Sequence, residues 1–232
     1  MKPGDPQAVR VMFEQIASSY DILNDLLSLG LHRIWKRQAL TWLKPQPGQC
    51  LLDLCCGTGD LSFLLAEKIR PNGSVLGLDT AAAPLKAGEK RAFKQQWLRL
   101  RWKQGDAIAT GLSHASIDGA VMAYGLRNLI DPVGGLWELR RVLKPGSRAV
   151  ILDFNSQPIG YGAYFQQFYL RTLVVPVAEY FGLKEHYSYV EGSLNRFPVA
   201  FHQEEIAYKV GFTLARYFPL AGGQMGILRL QA

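Results

Sequence analysis

Leu51-Leu52-Asp53-Leu54-Cys55-Cys56-Gly57-Thr58-Gly59-Asp60 is an apolar run that ends on a carboxylate and passes through two glycines one residue apart. It leads into Leu61-Ser62-Phe63-Leu64-Leu65-Ala66, whose spacing is helical. This order reads as a buried strand, a tight loop and the first turns of a helix. Glycines let a loop backbone come close to a ligand, and a helix start presents N–H groups with no partner inside the helix. Together the three hold a nucleotide-like ligand.

The flanking sequence repeats the alternation of strand and helix. The patterning predicts strands over residues 49–54, 74–79, 117–123 and 148–154, and helices over 60–69, 84–95 and 132–143. Leu98, Leu100 and Trp102 alternate with Arg99, Arg101 and Lys103, as a half-buried third strand requires. Pro71-Asn72-Gly73 and Lys144-Pro145-Gly146 supply turns, and Pro132 suits a first helical turn. Such regularity demands a parallel sheet with helices on both faces. A last helix over 204–210 precedes two consecutive strands, 212–218 and 226–230, which predict an antiparallel hairpin joined at 219–223. Ahead of the sheet, Val9, Met12, Phe13 and Ile16, then Ile22, Leu26, Leu29, Ile34 and Leu40, carry helical spacing until Pro45, Pro47 and Gly48 break it. A helical cap over 1–47 and an α/β core over 48–232 are therefore expected. The core carries an insertion at about 155–198 that is rich in Tyr and Phe.

The chain has 232 residues, 48% of them apolar, which suffices for one folded domain with additions. A formal charge of +7 favours an anionic contact such as a membrane surface, a nucleic acid or an acidic substrate, although many basic proteins have none. Cys50, Cys55 and Cys56 lie too close together to staple a fold and have no second cluster to complete a metal site. A reducing compartment and no metal are expected. Met1-Lys2-Pro3-Gly4 leads into no apolar leader, and residues 154–170 are too polar for a membrane span.

A dinucleotide site asks for G-x-G-x-x-G, and Ser62 occupies the third glycine position. The pattern Asp53-x-Cys55-x-Gly57-x-Gly59 instead resembles the first motif of class I S-adenosylmethionine-dependent methyltransferases, with Cys55 in place of the usual first glycine. The resemblance implies a Rossmann-like, seven-stranded, mostly parallel sheet with a C-terminal antiparallel hairpin. It implies cofactor contacts from Asp53, Cys55, Gly57, Thr58 and Gly59, and from Tyr124 after the fourth strand. Asp79 and Thr80 end the second strand, where a carboxylate accepts ribose hydroxyls. Asp106 and Ala107 follow the third, where the adenine amino group is received. A carboxylate near the loop suits the methionyl amine, and loop N–H groups suit the methionyl carboxylate.

Two further stretches are more specific. The segment from Tyr20-Asp21-Ile22-Leu23-Asn24 through His32-Arg33-Ile34-Trp35 resembles the N-terminal signature of the menaquinone and ubiquinone biosynthesis C-methyltransferases. Tyr124-Gly125-Leu126-Arg127-Asn128-Leu129 matches that family's motif after the fourth strand. Arg141 to Ser147 is a near match in which Ser147 replaces a glycine, and Asp153-Phe154-Asn155 stands where Glu-Phe-Ser is common. The segment from Pro176-Val177-Ala178-Glu179 to Phe197-Pro198 is similar to the cyanobacterial and plastid branch, which acts on demethylphylloquinol.

The family implies methyl transfer to a ring carbon of a prenylated naphthoquinol, either demethylphylloquinol or demethylmenaquinol. An oxidised quinone carbon is electrophilic, whereas the reduced ring with one hydroxyl deprotonated is a carbon nucleophile, so the quinol is the expected acceptor. Orienting two bound reactants supplies about 7 to 11 kcal/mol in favourable cases. The resemblance points to Arg127 as the cation that stabilises the phenolate, with a structural ion pair as the alternative. Asn128 orients a quinol oxygen or caps the next helix. Tyr20 and His32 close over the site, with a structurally satisfied histidine as the alternative for His32. The aromatic insertion suits a prenyl tail or an ordinary cap. Peripheral contact with the inner or thylakoid membrane from the cytoplasmic side, no nucleic acid, and compatibility with a homo-oligomer complete the expectations. Two other readings stay open: a methyltransferase acting on a benzoquinol or RNA, and a non-catalytic binding module.

Overall fold

The computed structural model describes Val11, Glu14, residues 30–155, residues 192 and 193, and residues 196–232. Tyr20 and nearly all of the aromatic insertion lie outside these residues. The helix that precedes the sheet, α1 (Leu31–Leu43), starts behind Gly30, whose φ of 75° only glycine adopts without strain. Its buried face, His32, Lys36, Ala39, Leu40 and Leu43, follows the three-and-four spacing of an amphipathic helix. It packs on the sheet, mainly against the fifth strand.

The α/β core then runs β1 (Cys50–Leu54), α2 (Asp60–Lys68), β2 (Ser74–Asp79), α3 (Ala82–Ala92), β3 (Leu100–Gln104), β4 (Ile117–Ala123), α4 (Pro132–Val142), β5 (Leu143–Phe154), α5 (Ala200–Lys209), β6 (Leu214–Leu220) and β7 (Met225–Gln231). The sheet has seven strands in the order β3-β2-β1-β4-β5-β7-β6. The five strands β1 to β5 pair in parallel, and β7 runs antiparallel to both β5 and β6. This is the mostly parallel sheet with a C-terminal hairpin that the sequence predicts.

Successive residues of the central strands point to opposite faces, and both faces are buried. Leu51, Val75, Val121, Val150 and Ile227 pack under α1 and α2. Leu52, Leu78, Ala120, Ile151 and Leu228 pack under α4 and α5. That two-sided burial explains why β1 reads as a continuous apolar run rather than an alternating one.

Several boundaries differ from the sequence expectation: α5 starts at Ala200 rather than 204, and α3 ends at Ala92 rather than 95. Helix α3 begins at Ala82 rather than 84, because the Glu14 carboxylate accepts the backbone N–H groups of Ala82 (2.6 Å) and Ala83 (2.9 Å) and so satisfies the first turn from far along the chain. Strand β6 runs on through Pro219 to Leu220, and only residues 221–224 make the connection. Proline is tolerated there because β6 is an edge strand and pairs on one side only. Leu143 already pairs with Ile117 before the turn at 144–146, so β5 begins earlier than 148, and the register resumes at Gly119 and Arg148.

Candidate active site

The loop after β1 keeps its left-handed turns. Cys55 has φ 59°, Gly57 54° and Gly59 87°. Cysteine at the first of these positions carries strain that a glycine would not, yet the turn is preserved. A Cβ placed on Gly125 would lie 2.7 Å from Cys55 Cβ and 2.8 Å from its Sγ, so the space left empty at 125 is what the Cys55 side chain fills. Gly59 is governed from beneath: a Cβ there would stand 2.2 Å from the Trp102 ring. The same ring blocks a Cβ at Gly88 (2.8 Å) and at Gly77 (2.9 Å), so one indole on β3 lies against the loop, β2 and α3 at once. At Gly57, by contrast, a Cβ would meet nothing within 4 Å, which leaves the loop backbone open to a ligand.

Three carboxylates stand at the ends of β1, β2 and β3, each held by its own neighbours. Asp53 is fully buried, and Ser62 Oγ donates to its Oδ2 at 2.6 Å. The serine that breaks the dinucleotide fingerprint thus orients the acid. Burial raises the Asp53 carboxyl to about 7, against the pull of Ser62 and Lys36. Asp79 accepts from the N–H groups of Gly57 (2.8 Å) and Ala81 (3.0 Å). Burial raises its pKa as well, and the neighbouring Glu14 adds to that. Asp106 accepts the Ile108 N–H at 3.0 Å. Burial also pushes the Cys55 and Cys56 thiols well up, which keeps them protonated and unreactive.

These groups line one cleft of about 1190 Å³, measured out to its open mouth, at the carboxyl ends of the strands where the order reverses between β1 and β4. Of the expected cofactor residues, Asp53, Cys55, Gly57, Thr58, Asp79, Thr80, Asp106, Ala107 and Tyr124 are in its wall. Gly59 is not; it belongs to the packing over Trp102. Cys56, Lys36, Asp60, Leu61, Ile108 and Ile130 are in the wall without having been singled out in the sequence. For Lys36 a signal existed: a lysine four residues after His32, on the helix face that buries Ala39, Leu40 and Leu43, cannot be an ordinary solvated cation. The donor set fits a nucleoside joined to an amino acid. It offers open loop backbone at Gly57, successive carboxylates, and an apolar wall from Leu78 and Ile108.

The acceptor candidates divide. Asn128 lines the cleft, and its Nδ2 donates to the Tyr124 carbonyl at 2.8 Å. It lies in a 3₁₀ turn, Leu126–Asn128, and the cap of α4 falls to Asp131, whose side chain accepts the Gly134 N–H at 2.9 Å. The Arg127 side chain is 9% exposed and not in the wall. Its Nε is 3.1 Å from Asp153 Oδ1, and its Nη1 donates to Ser193 Oγ at 2.8 Å. The guanidinium also lies over the Phe154 ring at 5.1 Å. This is the geometry of the alternative reading, a buried ion pair. Burial raises the Asp153 carboxyl, and Arg127 opposes that. His32 is buried on α1, and the wall does not include it. Tyr20 lies outside the described residues. Among the described residues no three His, Cys, Asp or Glu side chains are grouped to hold a metal ion, and no helix is long and apolar enough to cross a membrane.

Comparison with known proteins bears on the same residues. The model of the ubiE/COQ5 methyltransferase family matches residues 1–229. The chain is 45% identical over 221 residues to a protein of Trichormus variabilis named 2-phytyl-1,4-naphtoquinone methyltransferase, covering 95% of this chain and 96% of that one. It is 41% identical over 222 residues to an Arabidopsis thaliana protein named 2-phytyl-1,4-beta-naphthoquinone methyltransferase, chloroplastic, covering 94% and 85%. Among solved structures, a SAM-dependent methyltransferase from Aquifex aeolicus superposes with a TM-score of 0.62 over 98% of each chain, at 15% identity, a likeness of fold.

Proposed function

Because the chain belongs to the ubiE/COQ5 methyltransferase family, and is thus an S-adenosylmethionine-dependent methyltransferase, we propose that it methylates a ring carbon of 2-phytyl-1,4-naphthoquinol in phylloquinone biosynthesis. One observation of the molecule supports the reading most. A single cleft runs from the carboxylates at the β1, β2 and β3 ends to a rim of Ala123, Asn128, Leu129 and Ile130, an apolar surface with one amide. The relatives named above supply the naphthoquinone ring and the phytyl tail.

The methyl donor brings an electrophilic methyl group on a sulfonium. The rest is done by the protein. Asp79 and Asp106 accept hydrogen bonds from the nucleoside, and Asp53 meets the methionyl ammonium. Asn128 orients a quinol oxygen at the rim, so that the ring carbon lies in line for transfer. Arg127 acts through Asp153 and Ser193 as a positioning residue that fixes the Tyr124–Ile130 segment beside the cleft. The acceptor is the reduced ring, since only that form is nucleophilic at carbon. A demethylmenaquinol, which shares the naphthalene ring and differs in its tail, is the next substrate in order. A long lipid tail and a net charge of +7 favour peripheral attachment to an anionic membrane surface.

Methyl transfer measured with the reduced and oxidised forms of 2-phytyl-1,4-naphthoquinone, with benzoquinols of several tail lengths and with tRNA fragments tests the reading. Transfer to the reduced naphthoquinone alone is expected. Equal transfer to benzoquinol or to RNA overturns the acceptor.

A further inference from the structure

Lys36 is in the wall of the methyl-donor cleft, although it comes from α1, a helix outside the strand–helix repeat that builds the rest of the site. The residue is 7% exposed, and its Nζ lies 3.0 Å from Asp60 Oδ2. An ammonium has three donors, and Asp60 takes one. Asp60 is itself shared: Arg91 Nη1 reaches its Oδ1 at 2.9 Å and also the Thr58 carbonyl at 3.1 Å. Two cations therefore surround one carboxylate at the first residue of α2, where the helix start already favours negative charge. Burial disfavours ionised Asp60, but Lys36 and Arg91 outweigh it and hold the acid charged. The corner keeps one surplus positive charge. Arg91 is half-exposed and not in the wall, so the cation presented to the cleft is Lys36. Asp53 is in the same wall, close enough to feel its charge.

A buried cation beside a buried acid, in one cleft, is the complement of an amino acid zwitterion. We infer that Lys36 binds the α-carboxylate of the methionyl end of the methyl donor and of its product, S-adenosylhomocysteine, while Asp53 takes the ammonium. The inference rests on the cleft's being the methyl-donor site. It makes the N-terminal helix part of that site, so that the helix carrying His32 and Trp35 is locked down by the donor.

Calorimetric titration of ligand-free protein with three related thioethers tests it: S-adenosylhomocysteine, its decarboxylated analogue 5′-(3-aminopropylthio)-5′-deoxyadenosine, and 5′-methylthioadenosine. Wild-type protein should prefer the first. Lys36→Met should weaken S-adenosylhomocysteine about tenfold or more, as expected for loss of a charged hydrogen bond, and should change the other two less than about threefold. Lys36→Arg should recover part of the loss. Equal weakening of all three ligands would mean that Lys36 only braces Asp60, and it overturns the inference; so does undiminished binding of S-adenosylhomocysteine. Binding of 5′-methylthioadenosine by Lys36→Met shows that the variant is folded. Wild-type protein that binds none of the three removes the donor site itself, an outcome distinct from the failure of Lys36 alone.

Discussion

The donor rim and the acceptor rim of the cleft are held in opposite ways. At the donor rim the three strand-end acids are fixed by groups near them in the chain or in the loop after β1: Asp53 by Ser62, Asp106 by Ile108, Asp79 by Ala81 and Gly57. The supports are neutral hydroxyl and backbone groups. At the acceptor rim, Arg127 is fixed by Asp153 and Ser193, which are 26 and 66 residues away, through full charges out of water. Neutral local support leaves a carboxylate free to respond to a ligand. A buried ion pair instead commits two elements to each other and becomes costly to open.

Breaking the pair gives the largest effect expected from this contrast. Arg127→Met leaves Asp153 buried beside no cation and should lower the free energy of unfolding by about 3 to 5 kcal/mol in urea titration. Arg127→Met with Asp153→Asn should regain part, because no charge is left buried, while the one amide oxygen keeps only one of the two backbone N–H groups, at 127 and 154, that the separate carboxylate oxygens accept. A loss under about 1 kcal/mol would return Arg127 to the role of a free cation at the site.

At the donor rim the expected change is one of binding. With the Asp53 carboxyl at about 7 in the ligand-free protein, a bound ammonium requires the ionised form, so affinity for S-adenosylhomocysteine should fall about tenfold between pH 8 and pH 6. Asp53→Asn should flatten that profile, and a flat wild-type profile would move the ammonium elsewhere. Stability of the ligand-free protein has the opposite sign. The folded value lies above the ordinary 3.8, so this group's contribution is full below 3.8 and is lost as pH rises through about 7.

The smallest effect concerns the loop itself. Cys55→Gly removes the strain of φ 59° but also adds unfolded-state freedom and empties the contact with Gly125. Thermal unfolding should change by about 1 kcal/mol or less in either direction, with S-adenosylhomocysteine affinity kept. A large loss of affinity would mean that the Cys55 thiol group itself contributes to binding.

The same contrast decides what could be read from the sequence. The strand-end acids were legible because a strand–helix repeat brings successive strand ends to one edge of the sheet, and Asp53, Asp79 and Asp106 line the cleft there. The glycine loop was legible too, although Gly59 packs over Trp102 and is not in the cleft wall. Lys36 was missed because helical spacing marks a face but not what the face meets. The partners of Arg127 were out of reach, since Asp153 resembles any acid at a strand end until β4 and β5 are paired. The start of α3 was misjudged for the same reason: Glu14 is 68 residues upstream.

The indole of Trp102 also constrains how this sequence can change. Gly77 and Gly88 are held as glycine chiefly by that one ring, with the Cys56 sulfur and the Thr58 carbonyl beside them, whereas Gly59 is held a second time by its backbone angle. A smaller residue at 102 therefore removes the shortest contacts at two distant glycines, leaving the Cys56 sulfur at 3.0 Å and the Thr58 carbonyl at 3.1 Å, while the third stays fixed. Substitutions at 77 and 88 become permissible only on that altered background, so their effects depend on the order in which they arise.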